Sequence, residues 1–295
     1  MFGLLLLDKP SGMSSNRALQ RAKRLFAAAK AGHAGSLDPL ATGMLPVFFG
    51  AATRLAAFML EARKCYRVTA KLGTATTTGD AEGEITEERV GDAPPEPTVI
   101  ADAVSRFVGE IEQVPPMYSA LKRDGVPLYR LARSGVEVER SPRRVRIEAL
   151  AVERYEWPEL TLHVRCSKGT YVRTLVEDVA RAAGTVGHVA ALRRLAVSPF
   201  TEEGMRTFAE LEAAAAEGLA SLDRLLLSPE AALEGWPSAH LGPAEAAKVA
   251  HGQAIAADPA LPCGHVKVYA DSGRLIAIGL VTAEHMLAPS RVFLR

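Results

Sequence analysis

Residues 32–46 read GHAGSLDPLATGMLP, and this stretch decides how the rest of the chain is interpreted. Small residues and turn formers are too dense over 33–43 for the interior of a helix or strand, so the sequence predicts a loop there. Asp38 stands in that loop with Pro39 behind it, which presents the carboxylate with little steric cover. The same pair also fits a helix N-cap with proline at the first helical position, and spacing alone leaves both interpretations open.

Hydrophobic spacing and turn residues predict regular elements on both sides of this loop. They are a strand over 2–7, a helix capped by Ser14 or Ser15 and running to about Lys30 with Gly32 at its end, a helix over 52–62, a strand over 66–72, a hairpin turn at 79–83, a helix over 98–108, a strand over 160–166, a helix over 170–183, a strand over 186–199 and mostly helical structure over 202–234. Beyond Trp236 follow a helix over 243–251 and strand-like runs at 265–270, 274–281 and 291–294. Because 295 residues exceed what one compact core usually takes, we predict a large domain over 1–235 and a small β-rich domain over 236–295.

The composition is that of a folded protein, with 48% hydrophobic and 23% charged residues, and it excludes global disorder. The net charge of +1 means that any nucleic-acid surface must gather its basic residues locally. The three cysteines lie far apart in the sequence, so neither a disulfide framework nor a zinc site is expected, and a cytoplasmic location fits best. No apolar run approaches the roughly 20 residues that span a bilayer, and the first one is too short for a signal peptide.

Several familiar catalytic motifs do not occur in the sequence. An aspartyl-nucleophile phosphatase needs a second aspartate two positions after Asp38, where Leu40 stands. A Walker A loop needs a lysine after Gly43, where Met44 stands. GxSxG and HExxH are not found either, so the hydrolase classes that use these motifs are set aside.

A second cluster, KGTYVR over 168–173, follows the strand predicted to end near Cys166. Such a corner between a strand and a helix aims side chains at a cleft. Arg173 is either a solvated surface arginine or the partner of a buried carboxylate, whose pKa it would lower by about 1–3 units. Tyr66 is either a core aromatic or a site residue, and His33 either a hydrogen-bonded loop histidine or a site residue.

Residues 117–147 carry eight Lys or Arg against three Asp or Glu. Tyr118 and Tyr129 are interleaved with them, which is the composition of a surface that follows a nucleic-acid backbone. A solvated charged face has the same composition, so the stretch alone does not decide between the two.

The 32–46 loop resembles the motif of the TruB family, the bacterial tRNA pseudouridine-55 synthases. Further segments resemble that family's motifs in the right order, so that the match covers about residues 4–200: 7–15, 64–73, 79–83, 115–122, 166–178 and 191–194. The C-terminal segment resembles the family's PUA-like RNA-binding domain in size, position and strand content. Ala34 and Ser36 depart from the usual residues of the loop, and both changes are small.

The resemblance implies an α+β pseudouridine synthase fold, in which a mixed, mainly antiparallel sheet with flanking helices has a central cleft. It implies that uridine 55 in the T-arm of tRNA is flipped out, cut from C1′ and rejoined through C5, with no metal and no organic cofactor. The expected partner is tRNA alone, with no guide RNA, no obligatory protein partner and no membrane, and the chain is expected to be a monomer.

The resemblance also implies roles for individual residues. Asp38 matches the essential aspartate, Arg173 the arginine that pairs with it, and Tyr66 the tyrosine that stacks on the base and takes part in proton transfer. The remaining matches are His33, which helps to fill the gap left by the flipped nucleotide; Lys9, Pro10, Tyr171 and Leu192, which line or support the pocket; Asp80, an RNA contact; and residues 115–141, a loop that clamps the RNA. Whether Asp38 attacks C1′, attacks C6 of the base or removes the C2′ proton stays open.

Two other interpretations stand beside this one. The first is an RNA chaperone that refolds tRNA, for which catalysis is secondary. The second is a guide-RNA-dependent pseudouridine synthase of the archaeal and eukaryotic kind. Members of that group carry extra terminal segments for partner proteins, and none is recognised in this sequence.

Overall fold

The structure is a computed structural model that describes residues 2–89, 91 and 93–293. The strands are β1 Gly3–Lys9, β2 Ala31–His33, β3 Thr42–Phe49, β4 Lys64–Leu72, β5 Thr74–Thr76, β6 Ile85–Glu88, β7 Gly109–Gln113, β8 Lys122–Arg123, β9 Val126–Pro127, β10 Arg143–Glu156, β11 Glu159–Cys166, β12 Gly187–Val197, β13 Ser238–Leu241, β14 Ile255–Ala256, β15 Gly264–Ala270, β16 Leu275–Val281 and β17 Met286–Val292. The α-helices are α1 Ser15–Leu25, α2 Ala56–Leu60, α3 Pro97–Ser105, α4 Leu128–Arg133, α5 Val172–Ala182, α6 Phe208–Glu217, α7 Leu219–Asp223 and α8 Pro243–Ala250, and 3₁₀ helices cover Gly50–Leu55, Glu202–Gly204 and Pro229–Leu233.

The large domain is built on one sheet in the order β1-β3-β12-β4-β11-β10-β7, with β2 added beside β3. All neighbouring strands are antiparallel except β3 and β12, which pair in parallel through two residues of each strand. The sheet therefore consists of two antiparallel halves that meet at a narrow junction in its middle. The predicted α+β fold with a mainly antiparallel sheet and a central cleft is confirmed, and β3 leads directly out of the Asp38 loop into that junction.

Gly43 makes the narrow junction possible. Its φ of +97° is unfavourable for residues with a side chain, and a Cβ placed there would lie 2.3 Å from the main-chain oxygen of Arg194 on β12. Only a residue without a side chain lets the two strands approach this closely. The glycine that appears in the sequence as a turn former is thus a packing requirement at the point where the halves of the sheet join.

Buried clusters cover both halves of the sheet. In the half of the sheet that contains β12, β4, β11, β10 and β7, Leu175 and Val176 of α5 pack with Val68 of β4 and Leu192 of β12. In the other half, which contains β1, β2 and β3, α1 packs its buried residues against β1 and β3. These contacts fix α5, and with it Arg173, relative to the strand that carries Tyr66.

The predicted elements are largely present, with three local corrections. Helix α1 ends at Leu25 rather than near Lys30, because Ala27 takes a positive φ of 45° and the chain turns into β2, which contains Gly32. The helix predicted over 52–62 is a 3₁₀ turn followed by the short α2. No helix follows Asp38 among the described residues of the loop, so the N-cap interpretation is wrong.

The C-terminal part forms a five-stranded sheet in the order β13-β15-β16-β17-β14, against which α8 packs through Val249. The predicted helix over 243–251 and the strand runs at 265–270 and 274–281 are confirmed. The run predicted at 291–294 is wrong in its start, because the strand is β17 Met286–Val292; the predicted run also reaches Leu294, which lies outside the described residues, as do Met1 and Arg295 at the ends of the predicted domains. The predicted boundary at 235/236 falls between the last 3₁₀ helix and β13, and it stays a prediction. Among the described residues, no helix has the length and apolar character needed to span a membrane.

Candidate active site

Asp38 and Arg173 form an ion pair, although 134 positions separate them in the sequence. The Arg173 Nε lies 3.0 Å from Asp38 Oδ2, and the Asp38 side chain is 40% exposed while that of Arg173 is 7% exposed. The carboxylate is therefore open to solvent on one side and held by a buried guanidinium on the other. The pairing expected from the sequence is present.

The rest of the Arg173 guanidinium joins three segments of the chain. Its Nη1 donates to the main-chain oxygen of Thr78 at 2.8 Å, and its Nη2 donates to that of Tyr118 at 2.7 Å. Nη1 also lies 3.6 Å from Asp80 Oδ2. Arg173 thus connects the Asp38 loop, the 79–83 turn and the clamp segment, by which we mean residues 115–141.

Asp80 lies beneath the surface, and its RNA contact stays a prediction. Its side chain is buried, and its Oδ1 accepts hydrogen bonds from the Thr78 hydroxyl at 2.6 Å and from the Glu82 main-chain N–H at 3.1 Å. The other oxygen faces Arg173. Asp80 is therefore a partner of Arg173 beneath the surface, because the turn folds its carboxylate inward against α5.

The pKa of Asp38 is raised from its ordinary value, chiefly because the surrounding protein removes water from the carboxylate. Arg173 opposes this effect, Asp80 adds to it, and Lys9 opposes it. Arg173 therefore acts in the expected direction on the pKa of Asp38, but the effect of burial is larger, so the net shift is upward. An ionised aspartate with a raised pKa is a better base than an exposed one, which suits proton removal or attack on carbon.

Main-chain contacts hold the Asp38 loop in place. The fully buried Lys9 donates from Nζ to the main-chain oxygens of Pro10, Met13 and Pro39 at 2.9, 2.8 and 3.3 Å. Burial lowers the pKa of this lysine to about 8. The Ser15 hydroxyl donates to the Leu37 oxygen at 3.0 Å and accepts from the Leu37 N–H at 2.7 Å. The loop is thus fixed on both sides of Asp38 without use of the Asp38 side chain.

The other predicted residues surround this loop at different depths. Tyr66 on β4 and Leu192 on β12 are buried in the same cluster as Leu37, and burial raises the pKa of Tyr66. His33 on β2 is half-buried with a lowered pKa, again chiefly from burial, and its Nδ1 has no hydrogen-bond partner among the described residues. Tyr171 is half-buried at the start of α5, where its main-chain N–H donates to the Gln113 side chain at 3.1 Å, and Pro10 is exposed.

The clamp segment contains β8, β9 and α4 rather than being irregular throughout. The basic residues of 117–147 fall into two groups: most lie in the clamp segment, and the last ones lie on β10. Lys122, Arg130 and Arg133 lie in the clamp segment and have no acidic partner within 4.0 Å in the part of the chain that the structure describes. Arg144 and Arg146 lie on β10 and face Glu112 and Glu110 of β7 at 3.7 and 3.9 Å.

Three family models cover most of the chain. The description "TruB family pseudouridylate synthase (N terminal domain)" matches residues 23–172. The description "tRNA pseudouridylate synthase B C-terminal domain" matches residues 173–234, and "Pseudouridine synthase II TruB, C-terminal" matches 237–293. The chain belongs to the TruB family. It is accordingly a pseudouridine synthase, an isomerase, and the Asp38 loop and α5 lie within the matched regions.

Curated relatives in the TruB family match nearly the whole chain. The tRNA pseudouridine synthase B of Pseudomonas aeruginosa (strain UCBPP-PA14) is 49% identical over 291 residues, which cover 98% of this chain and 95% of that protein. That of Burkholderia mallei (strain NCTC 10247) is 49% identical over 296 residues, covering 98% and 96%. Among solved structures, a chain of a Cbf5-Nop10-Gar1 complex is 26% identical with a TM-score of 0.77, covering 99% of this chain and 85% of that one.

The TruB site also contains residues that the sequence did not single out by role. The sequence predicts Ser14 or Ser15 as the helix cap; Ser14 caps α1, and Ser15 holds Leu37 instead. Arg194 belongs to the 191–194 motif, and the structure shows it buried beside the Asp38 loop. Neither role has a signal in the sequence, because each depends on contacts between segments that only the folded sheet brings together.

Proposed function

We propose that this TruB-family enzyme converts uridine 55 in the T-arm of tRNA to pseudouridine, with Asp38 as the group that initiates cleavage of the glycosidic bond. The observation that carries the proposal is the half-exposed Asp38 carboxylate held by the buried guanidinium of Arg173. The relatives named tRNA pseudouridine synthase B support tRNA as the substrate.

The reaction requires the base to leave the stack of the T-loop. Extrusion costs a few kcal/mol, and stacking of the base on Tyr66 returns about 1–3 kcal/mol of it. His33, kept neutral by its lowered pKa, supplies a flat ring for the space that the nucleotide leaves. Lys9, Pro10, Tyr171 and Leu192 support or line the pocket around the base.

The bond changes balance without a co-reactant. The C1′–N1 bond breaks, C5 bonds to C1′, the proton on C5 is lost and N1 gains one. Attack of Asp38 on C1′, attack on C6 and removal of the C2′ proton all begin with the ionised carboxylate. Tyr66 takes part in the later proton transfer.

The enzyme acts as a monomer in the cytoplasm, without a guide RNA or a protein partner. The identity of 49% with relatives named tRNA pseudouridine synthase B, against 26% with the chain from the Cbf5 complex, supports independence from such partners. The three free cysteines support a reducing compartment.

Incubation with an unmodified tRNA transcript tests the proposal. We expect pseudouridine at position 55, found by chemical labelling and primer extension, with no change in the total mass of the RNA. A matched transcript with cytidine at position 55 should give no signal. Absence of product from the first transcript, or equal modification at other uridines of the second, would contradict the proposed site.

The clamp segment is expected to supply electrostatic affinity for tRNA. Replacing Lys122, Arg130 and Arg133 together by glutamine should weaken binding and reduce the slope of log K against log salt by about 2, because each lost phosphate contact removes about 0.7–0.9. The matched control is glutamine at Arg144 and Arg146, whose charges already face carboxylates. Equal slopes in the triple variant and the parent would show that tRNA binds at a different surface of the protein.

A further inference from the structure

Arg194 occupies the point where the two halves of the sheet meet. On β12 it is paired in parallel with Gly43 of β3 and lies directly opposite Tyr66 of β4. Cross-strand partners extend their side chains to the same face of a sheet, so Arg194 shares a face with Tyr66. One residue thus adjoins both the strand that leaves the Asp38 loop and the strand that carries the tyrosine.

The side chain of Arg194 ties both ends of the Asp38 loop to β12. Its Nε donates to the main-chain oxygen of Met44 at 2.7 Å, and its Nη2 donates to that of Gly35 at 3.0 Å. Gly35 lies three positions before Asp38 and Met44 lies six positions after it. The guanidinium presents its donors from separate nitrogens in a rigid, planar fork, so it holds both oxygens in a fixed geometry that the single nitrogen of a lysine does not reproduce.

The charge of Arg194 is unusual for its position. The residue is 1% exposed, and within the described residues no carboxylate lies close enough to form an ion pair with it. Two further buried cations, Lys9 and Lys64, lie nearby and are likewise bonded to main-chain oxygens. A buried charge without a counter-ion is costly, so a role limited to filling space would be served better by an apolar residue.

We propose that Arg194 is a positioning residue for the isomerisation: it holds the Asp38 loop against the sheet and orients the Tyr66 hydroxyl toward the flipped base. This inference rests on the roles proposed above for Asp38 and Tyr66. Arg194 lies opposite Tyr66 on the same face of the sheet, and its charge lowers the pKa of that tyrosine against the larger raising effect of burial. Because a guanidinium only donates, a contact with Arg194 uses the oxygen of the Tyr66 hydroxyl and leaves its proton to face the substrate.

The test compares Arg194→Met and Arg194→Lys with the parent in single-turnover reactions on the tRNA transcript. We expect the rate constant to fall on the order of 100-fold in Arg194→Met, the loss that displacement of a reacting group by about 1 Å causes. The dissociation constant for tRNA should stay within about threefold of the parent in the same comparison. Arg194→Lys should recover part of the rate, because it keeps the charge but not the fork.

Arg193→Met is the matched control. Arg193 also ties β12 to the other half of the sheet, through two hydrogen bonds to Asp8 of β1 at 3.0 and 2.9 Å, and the side chains of consecutive strand residues face opposite sides. A general loosening of the junction would affect both variants. An equal loss of rate in Arg193→Met, or a loss in Arg194→Met confined to binding, would overturn the proposal.

A double-mutant cycle with Tyr66→Phe separates this inference from the proposed function. If Arg194 acts partly through the Tyr66 hydroxyl, Arg194→Lys costs less rate in the phenylalanine background than in the parent, and additive losses contradict that part. Arg194→Lys retains the charge, so the cycle remains usable even where Arg194→Met does not fold. Asp38→Asn, assayed on the same transcript, reports on the proposed function alone. If turnover persists in that variant, Asp38 does not have its proposed role, regardless of the result for Arg194.

Discussion

Replacing Asp38 by asparagine is expected to abolish pseudouridine formation while the affinity for tRNA stays within a few-fold of the parent. The amide has the shape of the carboxylate but can neither attack carbon nor accept a proton. The loop does not depend on the Asp38 side chain for its position, because Lys9 and Ser15 hold its main chain at Pro39 and Leu37. A loss of at least about 1,000-fold in the single-turnover rate is the expected size for a group that carries the chemical step.

The matched control is Asp102→Asn, an exposed carboxylate on α3 whose loss should leave the rate unchanged. Turnover by Asp38→Asn protein that is free of parent enzyme would show that Asp38 does not have its proposed role. The same variant separates catalysis from tRNA refolding. If it still rescues a misfolded tRNA, the chaperone activity exists beside the isomerase, and if it does not, refolding depends on the reaction.

The raised pKa of Asp38 gives the pH dependence of the parent a definite sign. Activity needs the ionised form, which is lost as pH falls through the pKa of the folded enzyme. Because burial raises that pKa, the acid limb of the rate should lie above the value of about 4 that is typical of an exposed aspartate. An acid limb at or below that value would mean that Arg173 outweighs the effect of burial.

Replacing Arg173 by alanine is expected to remove both activity and part of the stability. The guanidinium offsets the desolvation of Asp38, and it also supplies donors to two main-chain oxygens and faces the buried Asp80. Without it, Asp80 becomes a buried charge without its partner. Breaking such a pair from one side costs about 3–5 kcal/mol of unfolding free energy. The rate should fall by at least about 100-fold, and urea unfolding and single-turnover assays measure the two effects.

Two further variants make the result for Arg173 interpretable. Arg173→Lys keeps the charge but cannot reach all four partners, so it should restore only part of the activity. Arg181 lies on the exposed face of the same helix and, within the described part of the chain, pairs only with Asp178, at 3.7 Å, so Arg181→Ala should change stability by no more than about 0.5 kcal/mol. Full activity in Arg173→Ala would break the proposed link between the guanidinium and Asp38.

The elements with strong local patterns were predicted well. β4 alternates along its length and α5 has one apolar face, and each lies within a few residues of its predicted position. The errors fall where local pattern competes with long-range pairing. The end of α1 was extended into β2, because pairing with β3 rather than helix propensity decides the conformation of residues 31–33. Spacing alone does not decide between a helix cap and a presented carboxylate at Asp38 for the same reason, because β3, which follows the loop, pairs with the distant β12.

The sequence by itself determined the family, the α+β architecture and the set of residues from which the site is built, since these depend on the order and spacing of motifs along one chain. Only the tertiary structure decided which carboxylate faces solvent and which lies buried. Asp38 and Asp80 both stand in turn-forming segments, yet one opens into the cleft and the other packs beneath Arg173. The sign of the Asp38 pKa shift and the place of Arg194 under the loop were decided in the same way. Desolvation and hydrogen bonding depend on how β3, β4, β12 and α5 pack together, and no stretch of sequence contains that information.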